Sequence, residues 1–221
     1  MTAAGVDRSP PAATALAPRQ APGWLRLAWL YAASRRIPAA AGLLAALGVL
    51  LWAALRWRWN IAGGAAARMF LPQVIETAAA AVIAVTSYGP FGEPERATGR
   101  WLPWLRLGAA VLLTAAAVGL LAAGATAGYL PGGSLALLRD VAGVTGIGLL
   151  SAVILGGAFG WTGPLAYVLV TEVALTGHPT TPWLWPARPP YDLGGALCAA
   201  GLFAAGIVLI ALRGDRVSGR E

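Results

Sequence analysis

The chain has 221 residues, of which 58% are hydrophobic and only 11% are charged, and its formal net charge is +7. A soluble globular domain carries roughly 25% charged residues, so this composition excludes an ordinary soluble protein and favours helices packed within lipid. The one cysteine is Cys198 and the one histidine is His178. An internal disulfide and a cysteine- or histidine-rich metal cluster are therefore excluded, and we predict neither a metal nor a cofactor.

The N-terminal region divides into a tail and an amphipathic segment. Residues 1–22 are rich in alanine and proline and lack the apolar core of a secretion signal, which predicts a disordered cytoplasmic tail. Residues 24–36 place four residues on one helical face: Trp24, Leu27, Ala28 and Tyr31. This pattern predicts an interfacial helix on the membrane. A simple extension of the first membrane span is the alternative.

Six long apolar stretches follow, and a helix needs roughly 20 apolar residues to cross the hydrocarbon of a bilayer. Their continuous hydrophobicity favours helices over a barrel. The predicted spans are 37–55, 69–87, 107–127, 138–157, 165–176 and 193–212. The fifth is short and is interrupted by Gly160, Gly163 and Pro164. We predict an all-α, polytopic membrane helix bundle of about six transmembrane helices over residues 23–212, with a polar C-terminal tail at 213–221.

The arginines predict the orientation of this bundle. All 16 basic residues are arginines, and cytoplasmic loops carry an excess of positive charge. With a cytoplasmic N-terminus, the arginines of the outer segments are Arg56, Arg58, Arg68, Arg139 and Arg188, and the larger remainder is cytoplasmic. This distribution predicts a multi-pass protein of the cell membrane with both termini cytoplasmic. It also accounts for the basic charge without nucleic acid as a partner.

Glu76 is the strongest candidate for a functional residue inside a span. It shares a helical face with Gln73 and Thr77, and a carboxylate in hydrocarbon is costly unless it is paired, protonated or hydrated. Glu172, beside Thr171 in the short fifth span, is a second residue of the same kind. For both glutamates two interpretations remain open: a transport path or gate, or a structural contact between helices.

Arg139 and Asp140 open the predicted fourth span. One interpretation is an interfacial helix start, where Asp140 complements the helix dipole near the N-terminus. The other is that Arg139 is the counter-ion of Glu76 or Glu172, which would make both charged residues part of a transport path.

Two connections between the spans are informative. The segment 88–106 combines mixed charge with prolines and glycines, and residues 94–101 can form a short helix that docks in a partner's groove. A solvated connector is the alternative. The residues proposed for partner coupling are Gly92, Glu93, Glu95, Arg96, Arg100 and Trp101. In the segment 178–192, Trp183 and Trp185 predict a loop anchored at the outer membrane interface; a re-entrant lid is the alternative.

The spacings GxxxG at Gly124 and Gly128, and at Gly156 and Gly160, permit close packing of helices within the bundle. The sequence has no lysine, which excludes a P-loop for ATP. No GxSxG or HExxH motif is present either. We therefore predict that the chain is not itself an enzyme.

The arrangement of these segments resembles the six-span permease subunit of ABC-2-type exporters. The shared features are the interfacial segment 24–36, six spans with cytoplasmic termini, the connection 88–106, and the broken stretch between the fifth and sixth spans. The resemblance implies a coupling helix at 92–101 that docks on a separate ATPase subunit. It further implies a homodimer or paired permease that exports a drug, peptide or lipid-like molecule.

Two other classes of function stay open. One is an ion- or proton-coupled carrier or channel that uses Glu76 and Glu172. The other is a membrane accessory subunit that transports nothing, in which the buried charges only hold helices together.

Overall fold

A computed structural model describes residues 32–33, 36–57, 64–87, 102–128, 130, 132–174 and 181–213, with side chains from 71 in the second helix and from 103 in the third. The helices are α1 (Ile37–Arg56), α2 (Gly64–Thr86), α3 (Leu102–Ala125), α4 (Gly133–Leu155), α5 (Thr162–Ala174) and α6 (Leu193–Arg213). Two short 3₁₀ helices, Gly157–Phe159 and Trp185–Ala187, flank α5. No strand is present in the described ranges, so the predicted all-α fold is confirmed.

Four of the helices are long and apolar enough to cross a membrane: α1, residues Pro103–Ala125 of α3, α4 and α6, with 20–23 residues each. The apolar part of α2 with described side chains, Leu71–Thr86, is shorter. Helix α5 has 13 residues, which corresponds to about 20 Å of rise. The chain is thus a helical membrane bundle, as its composition predicts.

The ends of α4 and α5 differ from the sequence prediction. Helix α4 begins at Gly133, several residues before the predicted position 138, directly after Gly132 with a φ of 81°. It ends at Gly156, whose φ of 100° is open to glycine alone. The predicted interruption at Gly163 and Pro164 is wrong, because both lie in the first turn of α5. A proline is tolerated there since the first N–H groups of a helix have no intrahelical partner.

Helices α1 and α3 make a glycine-mediated contact. A Cβ at Gly124 would collide with the carbonyl oxygen of Gly48, and a Cβ at Gly48 would lie 2.8 Å from the carbonyl oxygen of Leu120. Gly128 lies against Leu55 further along the pair. The contacts advance in the same direction on both helices, so α1 and α3 run parallel. Of the two GxxxG spacings, only the one at Gly124 forms such a face, because Gly156 ends α4.

Helix α4 is the centre of the bundle. In its most apolar stretch 61% of the residues are buried, against 33% in α1, α3 and α6. Helix α4 contacts α2, α3, α5 and α6. A Cβ at Gly206 of α6 would lie 2.7 Å from the carbonyl oxygen of Gly146. Small residues thus let the α4 and α6 backbones approach closely, as is common between membrane helices.

The register of α2 against α4 positions the charged residues. A Cβ at Gly148 would lie 2.8 Å from the Cβ of Ala84, and Val144 packs in one cluster with Ala80. Both pairs have the same offset, so the two helices run parallel. One further turn back along each helix places Asp140 level with Glu76, because residues four apart share a helical face.

Candidate functional site

Arg139 joins α4 to the segment 181–192. Its side chain is buried, and the guanidinium donates three hydrogen bonds: Nε to Asp140 Oδ1 at 3.1 Å, Nη1 to the Pro189 carbonyl at 2.9 Å, and Nη2 to the Arg188 carbonyl at 3.2 Å. The planar fork of an arginine suits several acceptors at fixed angles. One side chain therefore holds a carboxylate of its own helix and two backbone carbonyls of a distant loop.

Glu76 belongs to the same cluster from the side of α2. It is 7% exposed, and its carboxylate lies near enough to Asp140 and Arg139 to interact electrostatically with both. None of the described residues donates a hydrogen bond to it. The guanidinium of Arg139 forms its ion pair with Asp140, so the three groups together carry a formal charge of −1 if all of them are ionised. Such an excess charge is costly in a medium of low polarity.

The predicted neighbours of Glu76 have different roles. Gln73 Nε2 donates to Thr171 Oγ1 of α5 at 3.4 Å, and this hydroxyl donates to the Val168 carbonyl at 2.8 Å. Gln73 therefore links α2 to α5. The hydroxyl of Thr77 donates to the Gln73 carbonyl at 2.7 Å, so its proton is used within its own helix.

Glu172 is not brought into this cluster. It is half-buried near the end of α5, and it makes no hydrogen bond or ion pair with the residues that the structure describes. The two glutamates that look alike in the sequence thus occupy different environments. Glu76 lies beside Arg139 and Asp140, whereas Glu172 lies beside Thr171 at the edge of the bundle.

The helix-start interpretation of Arg139 and Asp140 is wrong in its geometry. Since α4 begins at Gly133, both residues lie nearly two turns inside the helix, and both are buried. Asp140 is therefore too far from the N-terminus for the helix dipole to act on it strongly. Hydropathy placed the start too late because charged residues lower it, although these two residues pair with each other and Arg139 also binds two backbone carbonyls.

Trp185 is the aromatic centre of the site, and its predicted place at the membrane interface is wrong. The side chain is fully buried and stacks on Tyr167 of α5, with 4.7 Å between ring centroids. A Cβ at Gly143 would lie 2.7 Å from the indole Cζ2. The glycine leaves room for the ring, and no local sequence pattern predicts this buried position. Trp183, by contrast, is 39% exposed.

The indole Nε1 of Trp185 and the hydroxyl of Thr145 are both buried in this region, and neither has a hydrogen-bond partner among the described residues. An unsatisfied buried donor costs about 1–3 kcal/mol. Buried groups of this kind are uncommon in native structures. The pocket around Trp185 therefore fits the indole by packing and does not provide an acceptor for its N–H among the described residues.

Asp192 fastens the end of the segment 181–192 to α6. Its Oδ2 accepts from the Gly195 backbone N–H at 2.6 Å and from Arg188 Nη1 at 2.9 Å. This is the geometry of a helix N-cap with an added ion pair. The sequence interpretation missed this residue, although an aspartate directly before an apolar run is a typical cap signal.

A cavity of about 650 Å³, widely open to the surface, lies where α3 ends and α4 begins. It is within the range of small-molecule sites, which span roughly 300–1,000 Å³. Pro190 lines it and directly follows Pro189, whose carbonyl Arg139 holds. The other lining residues are Ala122, Ala125, Thr126, Gly128, Leu130, Gly132, Gly133, Ser134 and Leu137.

Several predicted features lie outside the described residues. These are the tail 1–22, most of the interfacial segment 24–36, the C-terminal residues 214–221, and the coupling residues Gly92, Glu93, Glu95, Arg96, Arg100 and Trp101.

We found no protein family that matches the chain, and no similar curated protein or solved structure. The interpretation of the site therefore depends on its own residues.

Proposed function

We propose that the chain is the membrane-spanning permease subunit of an ATP-driven exporter, and that a separate ATPase subunit hydrolyses ATP. The protein lies in the cell membrane with both termini cytoplasmic, as a homodimer or as one of two paired permeases. The observation that carries this proposal is the buried cluster of Glu76, Arg139 and Asp140, tied to the connection between α5 and α6. Ionisable groups inside a membrane bundle typically mark transport pathways.

The directions of the helices support six passages through the membrane. Helices α1 and α3 run parallel, so α2 returns between them. Helices α4 and α6 also run parallel, since Gly143 lies against Ala199 and Gly146 against Leu202. The chain between them, which contains α5, must therefore cross back. The short α5 and the folded segment 181–192 also fit the broken stretch that suggested the resemblance to ABC-2-type permeases.

Co-purification tests this function directly. The tagged full-length protein is extracted from its native host in mild detergent and tested for a bound ATPase subunit and for ATP hydrolysis. We expect a stoichiometric ATPase partner. Replacement of Arg96 and Arg100 by alanine should release it, whereas Arg213→Ala, at the end of α6, should not. Recovery of the intact protein without any ATPase would contradict the proposal.

An ion- or proton-coupled carrier is the second candidate, and the state of Glu76 favours it. This carboxylate is buried, accepts no hydrogen bond from the described residues and belongs to a cluster that has an excess negative charge when both carboxyl groups are ionised. A bound proton or cation would neutralise that excess. Protein reconstituted alone should then carry proton or cation flux that Glu76→Gln abolishes and Glu172→Gln preserves. Tight vesicles without flux would exclude this candidate and leave the exporter and accessory functions.

A further inference from the structure

We propose that the segment 181–192 is a plug at the end of the bundle where α4 and α6 begin. Trp185 is its stopper, Arg139 is the latch that keeps it closed, and Glu76 is the acceptor to which the latch turns when the plug opens. This end is the outer one in the orientation proposed above. The inference deepens the proposed permease function. It rests on that function only for the identity of the molecule that passes the plug.

The seat of Trp185 has the shape of the indole. Gly143 of α4 borders the ring, since a Cβ there would lie 2.7 Å from Cζ2, and Gly195 of α6 borders the base of the side chain, since a Cβ there would lie 3.0 Å from Cβ of Trp185. Ala80, Val144 and Ala199 complete the cluster. Small residues from three helices thus form a pocket that only an aromatic side chain from the loop fills.

Outside the seat of Trp185, two aromatic side chains of the segment are exposed. Trp183 is 39% exposed and Tyr191 is 82% exposed. The hydroxyl of Tyr167 donates to the Trp183 carbonyl at 2.8 Å, and the indole Nε1 of Trp185 has no partner among the described residues. Withdrawal of the indole therefore breaks no hydrogen bond of its ring, and water is able to satisfy the freed N–H.

A stronger hydrogen-bond acceptor than the loop carbonyls, the carboxylate of Glu76, lies near Arg139. Arg139 donates Nη1 and Nη2 to the neutral carbonyls of Pro189 and Arg188, while Nε stays on Asp140. Hydrogen bonds between a guanidinium and a carboxylate are stronger than those to a carbonyl. Glu76 interacts electrostatically with Arg139 and is level with Asp140. A turn of the guanidinium toward Glu76 would free the loop without leaving either charge unpaired.

Opening of the plug would also change the neighbouring cavity. Pro190 lines the cavity of about 650 Å³ at the start of α4, and it lies within the segment that Arg139 holds. Movement of the segment therefore removes one wall of the cavity. In the permease this movement would connect the interior of the bundle to the outer surface.

The chain contains its own reporter for this movement. Cys198 is the only cysteine; it is half-buried and packs on the cluster that contains Trp185. Purified full-length protein in nanodiscs is treated with a membrane-impermeant maleimide, and the rate of Cys198 modification is measured by mass spectrometry. We expect Arg139→Gln and Trp185→Ala each to raise this rate about tenfold or more, because they remove the charged hydrogen bonds or the stopper itself.

Matched variants distinguish opening of the plug from a general loosening of the helix bundle. Trp183→Phe changes an exposed indole of the same segment and should leave the rate unchanged. Glu76→Gln removes the competing charged acceptor and should lower the rate. Tyr167→Phe deletes the hydroxyl that binds the Trp183 carbonyl, and it should give a smaller rise than Arg139→Gln. Cys198→Ser defines the background of the measurement.

Unchanged labelling in Arg139→Gln and Trp185→Ala, with native circular dichroism and a monodisperse elution profile, would overturn the proposal. If these two variants fail to fold, Tyr167→Phe and Arg139→Lys decide, because both retain the packing of the seat; native rates in both would be equally adverse. The measurement requires neither an ATPase nor a substrate. A failure of the plug is thus distinguishable from a failure of the proposed export function.

Discussion

The contact of α1 with α3 and the junction of α2, α4 and the segment 181–192 are stabilised in different ways. In the first, Gly48 and Gly124 bring two apolar helices into backbone contact. In the second, a buried arginine bonds Asp140 and the carbonyls of Arg188 and Pro189. The first contact depends on shape alone, so it suits a permanent scaffold.

The second contact depends on charges that have alternative partners. Arg139 is within electrostatic reach of both Glu76 and Asp140, and the loop it holds is partly exposed. A contact of this kind can be exchanged, because a carboxylate can replace the neutral carbonyls of Pro189 and Arg188 as the acceptor. We therefore infer a rigid contact between α1 and α3 and a movable region around Arg139.

The largest effect should follow from the loss of Arg139. Arg139→Leu leaves Asp140 without its ion-pair partner and Glu76 without the nearby positive charge, and breaking a buried ion pair costs about 3–5 kcal/mol. Thermal unfolding in detergent, followed by circular dichroism, measures the loss. Addition of Glu76→Gln and Asp140→Asn should restore most of the stability, because no unpaired charge remains. A midpoint that Arg139→Leu does not change would remove the distinction between the two regions.

A methyl group at Gly124 tests the scaffold. Gly124→Ala should destabilise the protein by about 1–3 kcal/mol, since overpacking forces the α1 and α3 backbones apart. Gly119 lies on the same helix, and no atom of a neighbouring element lies within 4 Å of a Cβ added there. Gly119→Ala is therefore the matched control and should be neutral or slightly stabilising. Equal unfolding midpoints for the two variants would contradict the proposed backbone contact.

The cap at Asp192 should have an intermediate effect. Asp192→Ala removes the acceptor of the Gly195 N–H and the partner of Arg188, and loss of a helix cap costs about 0.5–2 kcal/mol. Asp192→Asn retains the cap oxygen and should recover much of this difference. Unfolding in detergent measures both variants. If alanine and asparagine behave alike at this position, the N-cap does not contribute to the anchoring of the segment 181–192.

We expect the smallest effect on stability from substitution of the two glutamates. Their comparison is the most direct test of function. Glu172→Gln should change stability by less than about 0.5 kcal/mol, as is usual for sites without strong partners. Glu76→Gln should raise the unfolding midpoint slightly, because it relieves the excess negative charge around Arg139. Transport by the purified complex should fall for Glu76→Gln alone. Equal transport losses in both variants would argue against a special role for Glu76.

Hydropathy predicted much of the fold, and its errors have a common cause. Each of the six apolar segments coincides with a helix, because the requirement for intrahelical hydrogen bonds in lipid is a local property of the sequence. The start of α4 was misplaced since Arg139 and Asp140 look like residues that face water. Trp185 was misplaced for the related reason that tryptophan is common at membrane interfaces.

The candidate site was predictable only in part. Glu76 stands out in the sequence because a carboxylate in an apolar span is costly. The sequence interpretation could not choose between Glu76 and Glu172 as the glutamate that lies near Arg139, since both lie in spans of similar composition. The choice follows from the parallel register of α2 and α4, which places Glu76 level with Asp140.

The membrane class, the all-α fold and the approximate helix positions follow from the amino-acid sequence, because they depend on the hydrophobicity of contiguous residues. The packing of the helices was needed to establish which glycines meet, where Trp185 is seated and what Arg139 holds. The acceptors of Arg139 are backbone carbonyls about fifty residues away along the chain. Every residue has such a carbonyl, so the sequence does not indicate which carbonyls Arg139 binds. That choice depends on the packing of α4 against the segment 181–192.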